Sequence, residues 1–134
     1  VSVDNSSRIV GLGEVTLVFL DQTRMTVANS AGLQITAPAA SLSPSTTYPW
    51  PGVAIYAARG NTQTFSLANS SSYPVVGAVY ARDATLTTAN SSTVGVQSLI
   101  VVGSYQGANS SSLTTTYDWN QNPILPGGAL QLVR

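Results

Sequence analysis

The chain has 134 residues, enough for one domain around one core, with a formal net charge of zero and only 7% charged residues. Its five basic residues are all arginines (Arg8, Arg24, Arg59, Arg82, Arg134); they form no basic stripe and no polybasic anchor, so no nucleic-acid partner is expected. Cysteine and histidine are both absent, which removes disulfides, thiolate metal sites, the usual proton shuttle and the common nucleophile–base pairs.

An apolar content of 43%, mostly Val, Leu, Ile and Ala, is enough for a core, and solubility then rests on Ser, Thr, Asn and Gln. That profile points to an extracellular or cell-surface protein. No apolar run reaches the roughly 18–20 residues of a membrane helix, so no membrane segment is expected. The opening VSVDNSSRIV lacks the basic start and apolar centre of a signal peptide. If the protein is exported, a targeting or anchoring segment is expected to have been removed.

In chain order, short alternating runs predict strands at Glu14–Leu20, Met25–Val27, Leu33–Thr36, Val53–Ala57, Thr64–Leu67, Val75–Tyr80, Thr85–Thr88, Ser98–Val102 and Leu113–Tyr117. Helical spacing is nowhere sustained, so the chain reads as all-β. Residues 37–51, APAASLSPSTTYPWP, carry four prolines and no alternation. They predict a loop thrown out of the regular structure, ending in the rigid group Tyr48-Pro49-Trp50-Pro51. That group serves either as a partner contact or as an aromatic cover for one face. Beyond Asp118, residues 119–134 predict a C-terminal cap or one further strand.

Between the strands one phrase recurs. Ala-Asn-Ser stands at Asn29, Asn69, Asn90 and Asn109, with Asn5-Ser6-Ser7 as a further copy, and the successive asparagines are 24, 40, 21 and 19 residues apart. With the 40 taken as two turns, or one turn plus an insertion, the period is roughly 20, that of a β-solenoid. Asn-Gly and Asp-Gly, the hairpin dipeptides of sandwiches and barrels, do not occur. Asparagine tolerates the left-handed backbone of a tight corner, and its amide can bond the same amide one rung above. The predicted fold is a single-domain, single-stranded parallel β-helix with rungs of roughly 20 residues.

The segment Gly77–Asp118 carries a resemblance. GAVYARDATLTTANSS, a Gly/Val-rich strand region and YQGANSSSLTTTYD resemble the C-terminal β-helical domains of bacterial pilus-assembly proteins, of the tight-adherence TadG type and the PilX-like type. Gly77, Val79, Tyr80, Ala81, Ala84, Asn90, Asn109, Tyr117 and Asp118 match the phrasing of that family, and the resemblance extends upstream to Gly52. Arg82 stands where the family usually has proline, and Ala-Asn-Ser replaces Gly-Asn at the corners. The resemblance implies an exported structural domain, associated with a pilus or the cell envelope, that contributes to assembly or adhesion. The expected partners are other pilus or envelope subunits or further copies of the chain itself, since exposed terminal strands on a low-charge solenoid are templates for head-to-tail addition into a filament.

Chemistry is sparse. The acids are Asp4, Glu14, Asp21, Asp83 and Asp118; no calcium-loop pattern is present, and neither metal nor cofactor is implied. Asp21 and Asp83 follow strands at comparable repeat positions and are the candidate carboxylate pair of a polysaccharide-cleaving β-helix, although Arg24 and Arg82 lie close to them in sequence and favour ion pairs. The chain is therefore expected not to be an enzyme. A carbohydrate-binding alternative would place surface glycans on Tyr48, Trp50, Tyr105 and Trp119. Sequons at Asn5, Asn69, Asn90 and Asn109 are candidate glycosylation sites in an exported protein.

Overall fold

The computed structural model describes residues 1–47, 49–68 and 72–117. Twelve strands and no helix occur among them: β1 (Ser2–Val3), β2 (Arg8–Gly11), β3 (Leu17–Phe19), β4 (Met25–Val27), β5 (Gly32–Thr36), β6 (Val53–Ala57), β7 (Thr64–Ala68), β8 (Ser72–Val76), β9 (Ala78–Ala89), β10 (Thr93–Gln97), β11 (Ile100–Gly107) and β12 (Ser112–Thr115). Every pairing is parallel. One sheet runs β2-β5-β8-β10-β12, and the other runs β1-β4-β7-β9-β6-β3 with β11 also on β9.

This is a β-solenoid of about five coils. Each coil passes along one limb of the larger sheet, turns a corner, crosses the smaller sheet and returns along the other limb of the larger one. The register reproduces the sequence period: Arg8 pairs with Gly32, Gly32 with Ser72, Ser72 with Thr93 and Thr93 with Ser112, steps of 24, 40, 21 and 19 residues. The 40-residue step is therefore one coil plus an insertion. Residues 37–52 leave the stack after β5 and are closed by the Gly52 N–H donating to the Pro38 carbonyl at 2.8 Å.

Alternation puts one residue in two inside, and parallel register then stacks those residues in columns. Val3, Val27, Leu67 and Thr88 form one column, and Met25, Phe65 and Leu86 another. Ile35, Val75 and Val96 face them from the smaller sheet. Phe19 meets Phe65 edge-on at 5.0 Å between ring centres, a geometry worth about 0.5–1.5 kcal/mol beyond the burial. Tyr73 is fully buried, and its hydroxyl donates to the Val27 carbonyl at 3.1 Å. The interior void is about 30 Å³ and lined almost wholly by apolar side chains, so it has too few polar partners to hold water.

Two predicted strands are redrawn. Val75–Tyr80 divides into the end of β8 and the start of β9 because Gly77 turns the chain between sheets with φ 122°. Thr85–Thr88 and Val79–Tyr80 instead belong to one 12-residue strand, β9, which spans both limbs of the larger sheet. Strands β1, β2 and β10 lie outside the predicted runs: β1 and β2 have two and four residues, too few to show alternation, and β10, TVGVQ, carries Gly95 at its centre. The segment expected to form a cap, 119–134, lies outside the described residues.

A Cβ added at Gly77 would stand 2.5 Å from the Ala37 Cβ and 3.2 Å from the Ala54 Cβ, on a backbone that L side chains avoid. Gly77→Ala is expected to lower stability by roughly 2–4 kcal/mol, measured as a reduced urea midpoint at unchanged slope.

Candidate functional site

The recurring phrase forms one corner. Asn5 and Ser6 have φ of 53° and 61°, Asn29 and Ser30 52° and 61°, Asn90 and Ser91 54° and 60°, and Asn109 and Ser110 51° and 59°. Each pair is closed by a bond across four residues, such as the Ala31 N–H to the Ala28 carbonyl at 3.0 Å and the Ser111 N–H to the Ala108 carbonyl at 3.2 Å. Two successive positive φ values are those of a type I′ turn. Here the turn joins strands of two different sheets rather than a hairpin. Asn69 and its sequon lie outside the described residues.

The corners bond to one another along the stack. The Asn109 side-chain amide donates to the Asn90 side-chain oxygen at 2.8 Å. One end of the stack away, the Asn29 amide donates to the Asp4 carboxylate at 2.6 Å. Backbone bonds accompany them: Ser91 N–H to Asn109 C=O at 3.0 Å, and Ser6 N–H to Asn29 C=O at 3.1 Å. In both side-chain steps the later coil donates to the earlier one. The amide nitrogen of the Asn109 sequon is thus occupied in the folded chain, while Asn5 stands exposed at the first coil.

A second corner joins the two limbs of the larger sheet, and it contains the candidate carboxylates. Asp21 and Asp83 lie there two rungs apart, on the order of 10 Å, on either side of the Arg59–Gly60 turn. The Gln22 amide donates to the Gly60 carbonyl at 2.6 Å from one side, and the Gly60 N–H donates to the Asp83 carboxylate at 2.7 Å on the other. Asp83 also pairs with Arg82 at 2.9 Å. The bond from Arg82, and then that from Gly60, hold the Asp83 carboxyl below the usual carboxylate range. A carboxylate so held is a poor general acid at neutral pH. Beneath this turn lies Asn61, which the sequence reading passed over because it is outside the Ala-Asn-Ser phrase. It is buried, donates to the Thr23 carbonyl at 2.8 Å and accepts from the Gln63 N–H at 3.1 Å.

The candidate aromatic contacts do not converge. Tyr56 and Tyr80 project outward from β6 and β9 in register, with ring centres 5.7 Å apart and planes within 8°. Trp50, from the inserted loop, stacks on Tyr56 at 4.5 Å and 10°. The stack takes up one face of Trp50 and makes it an aromatic cover for this limb. Val18 and Val101 continue the column on either side. Tyr105 lies instead in the inward column, in register with Leu86. Its hydroxyl shares a 2.8 Å hydrogen bond with that of Thr88 and sits where a Gly107 Cβ would come within 2.8 Å. Tyr105 therefore lies at the end of the inward column in the last described coil, 44% exposed. Tyr48 and Trp119 lie outside the described residues.

Two open grooves cross the outside of the smaller sheet. One, of about 330 Å³, holds Arg8 as its charged residue; the other, of about 390 Å³, holds Glu14. Neither contains an acid–base pair. Among the described residues, no three of Asp, Glu, His and Cys gather as metal ligands, and no helix is long and apolar enough to cross a membrane. Compared with protein-family models, curated proteins and solved structures, the chain matches none of them.

Two outcomes follow from these corners. Asn109→Ala puts a Cβ-bearing residue without a local hydrogen bond at positive φ and removes the ladder amide, and is expected to cost about 1–2 kcal/mol; Asn109→Gly, free of the backbone strain, costs less. Asp83 is stabilising while ionised, so its contribution is complete above the unfolded carboxyl value of about 3.9 and is lost as pH falls through its lower folded value. Asp83→Asn is expected to lower the melting temperature at pH 7 and to flatten its decline on acidification.

Proposed function

We propose that this chain is an extracellular structural module, associated with a pilus or the cell envelope, that serves assembly or adhesion through stiffness rather than through chemistry. The observation that carries the reading is the repeated left-handed corner, which holds the coils in one continuous parallel stack. Such a stack resists bending and proteolysis because its backbone polar groups are bonded along its length. A surface with few charges and many hydroxyl and amide groups suits exposure outside the cell. The resemblance of Gly77–Asp118 to pilus-assembly domains supports the same placement.

Among the described residues the candidate groups for catalysis on glycans are otherwise engaged: Asp83 is tied to Arg82 and Gly60, and Trp50 is stacked on Tyr56. The test is location. An antibody against the domain, applied to sheared surface appendages, envelope and cytosol of the source organism, is expected to find it in the appendage or envelope fraction. Recovery in the cytosol alone would overturn the proposal.

A further inference from the structure

We infer that the module's partner is a second copy of itself, added head to tail so that the last coil of one copy, the end of β11 and β12, pairs in parallel with β1 and β2 in the first coil of the next. The inference rests on the structural reading above and adds its partner and contact residues. Among the described residues, β2 pairs only with β5 and β12 only with β10, so the outer edges of these two strands carry rows of backbone donors and acceptors that no other described strand takes up.

The two ends are complementary in polarity. Inside the stack, Ala28 N–H donates to Val3 C=O at 3.0 Å and Ala108 N–H to Thr88 C=O at 3.0 Å; Gly32 N–H donates to Ser7 C=O and Ser112 N–H to Ser92 C=O, both at 2.9 Å. Carried one coil further, the same pattern sets Asp4 N–H on Gly107 C=O, and Arg8 N–H on Ser111 C=O, of the preceding copy. In return the preceding copy's Ser110 N–H reaches Asn5 C=O, as Ser91 reaches Asn109 within the chain.

The side-chain ladder has the same direction. In both side-chain steps among the described residues the later asparagine donates to the coil before it, Asn109 to Asn90 and Asn29 to Asp4, so the first coil presents the Asn5 amide as a donor and the last presents the Asn109 oxygen as an acceptor. Joined, they carry the same donor direction across the junction. A single copy would then advance the filament by five rungs, about 24 Å. The nine large exposed apolar residues among the described ones fall at the two ends of the stack: Val1, Val10, Leu12, Val18 and Leu20 in the first coil and the turns leaving it, and the other four from Leu99 onward. Head-to-tail contact of two different surfaces does not close on itself, so it yields a filament rather than a dimer.

The test uses the full chain, followed by sedimentation velocity and negative-stain microscopy from micromolar to millimolar concentration. The expected result is a concentration-dependent series of linear oligomers with that axial advance. Arg8→Pro removes one edge donor while keeping an edge strand that tolerates proline, and Asn5→Gly removes the ladder amide at a φ that glycine adopts freely. Both are expected to keep the β-sheet circular dichroism and cooperative unfolding of the parent and to shift assembly to at least tenfold higher concentration. A parent that stays monomeric throughout would overturn the inference, as would assembly indifferent to both variants. Either outcome, with recovery from the appendage or envelope fraction, would leave the structural reading standing.

Discussion

Two consecutive residues with left-handed backbone, asparagine and then serine, are the constraint on which this fold depends. A β-strand that is to join a parallel stack cannot reverse; it must change direction by a fixed angle and climb one rung. The Asn-Ser pair does both within four residues. Its cost falls on serine, which has less reason than asparagine to adopt positive φ. That cost is offset by bonds to the corner above, such as Ser91 N–H to Asn109 C=O. The local strain and the stacking are therefore coupled: an isolated corner would relax, and a stacked one cannot.

The same coupling governs the other corner. Gly60 is held from below by the Gln22 amide and from above by the Asp83 carboxylate, so three coils fix one residue. Asn61 fills the inside of that turn and satisfies the Thr23 carbonyl. Where the third coil passes this point, no separate turn remains, and β9 runs through for 12 residues. Gly103 in the next coil packs within about 3 Å of the carbonyls of Arg82 and Ala84, measured from where its Cβ would be. Corners thus tighten along the stack, from turns to a bend.

Much of this was legible in the sequence because a solenoid repeats its corners at the period of its coils. The spacings of Asn5, Asn29, Asn69, Asn90 and Asn109 are the strand registers themselves. What remained hidden was whatever depends on the third dimension of the register. Tyr105, two residues from glycine on either side, and Trp50, between prolines, look alike as loop aromatics. Only pairing with Leu86 reveals that Tyr105 faces inward at a coil end, and only the closure of residues 37–52 brings Trp50 onto Tyr56. Asp21 and Asp83 share a repeat position, but their separation in rungs, and the turn between them, could not be counted from sequence.

The scarcity of charge is itself a consequence of parallel stacking. Each outward column places equivalent residues about 4.8 Å apart along its length. Two like charges at that distance repel by roughly 0.9 kcal/mol even in water, and a column would repeat the penalty at every rung. The chain sets its charges against neutral or opposite neighbours instead: Arg8 pairs with Gly32, Arg24 lies beside Thr64 by the register of Met25 with Phe65, and Asp83 pairs with Arg82. Amides and hydroxyls escape the problem because each both donates and accepts, so a residue can bond its own kind above and below, as Asn109 does with Asn90 and Thr85 with Ser104. A surface of Asn, Ser and Thr is what a stack of near-equivalent coils requires in order to be polar without repelling itself.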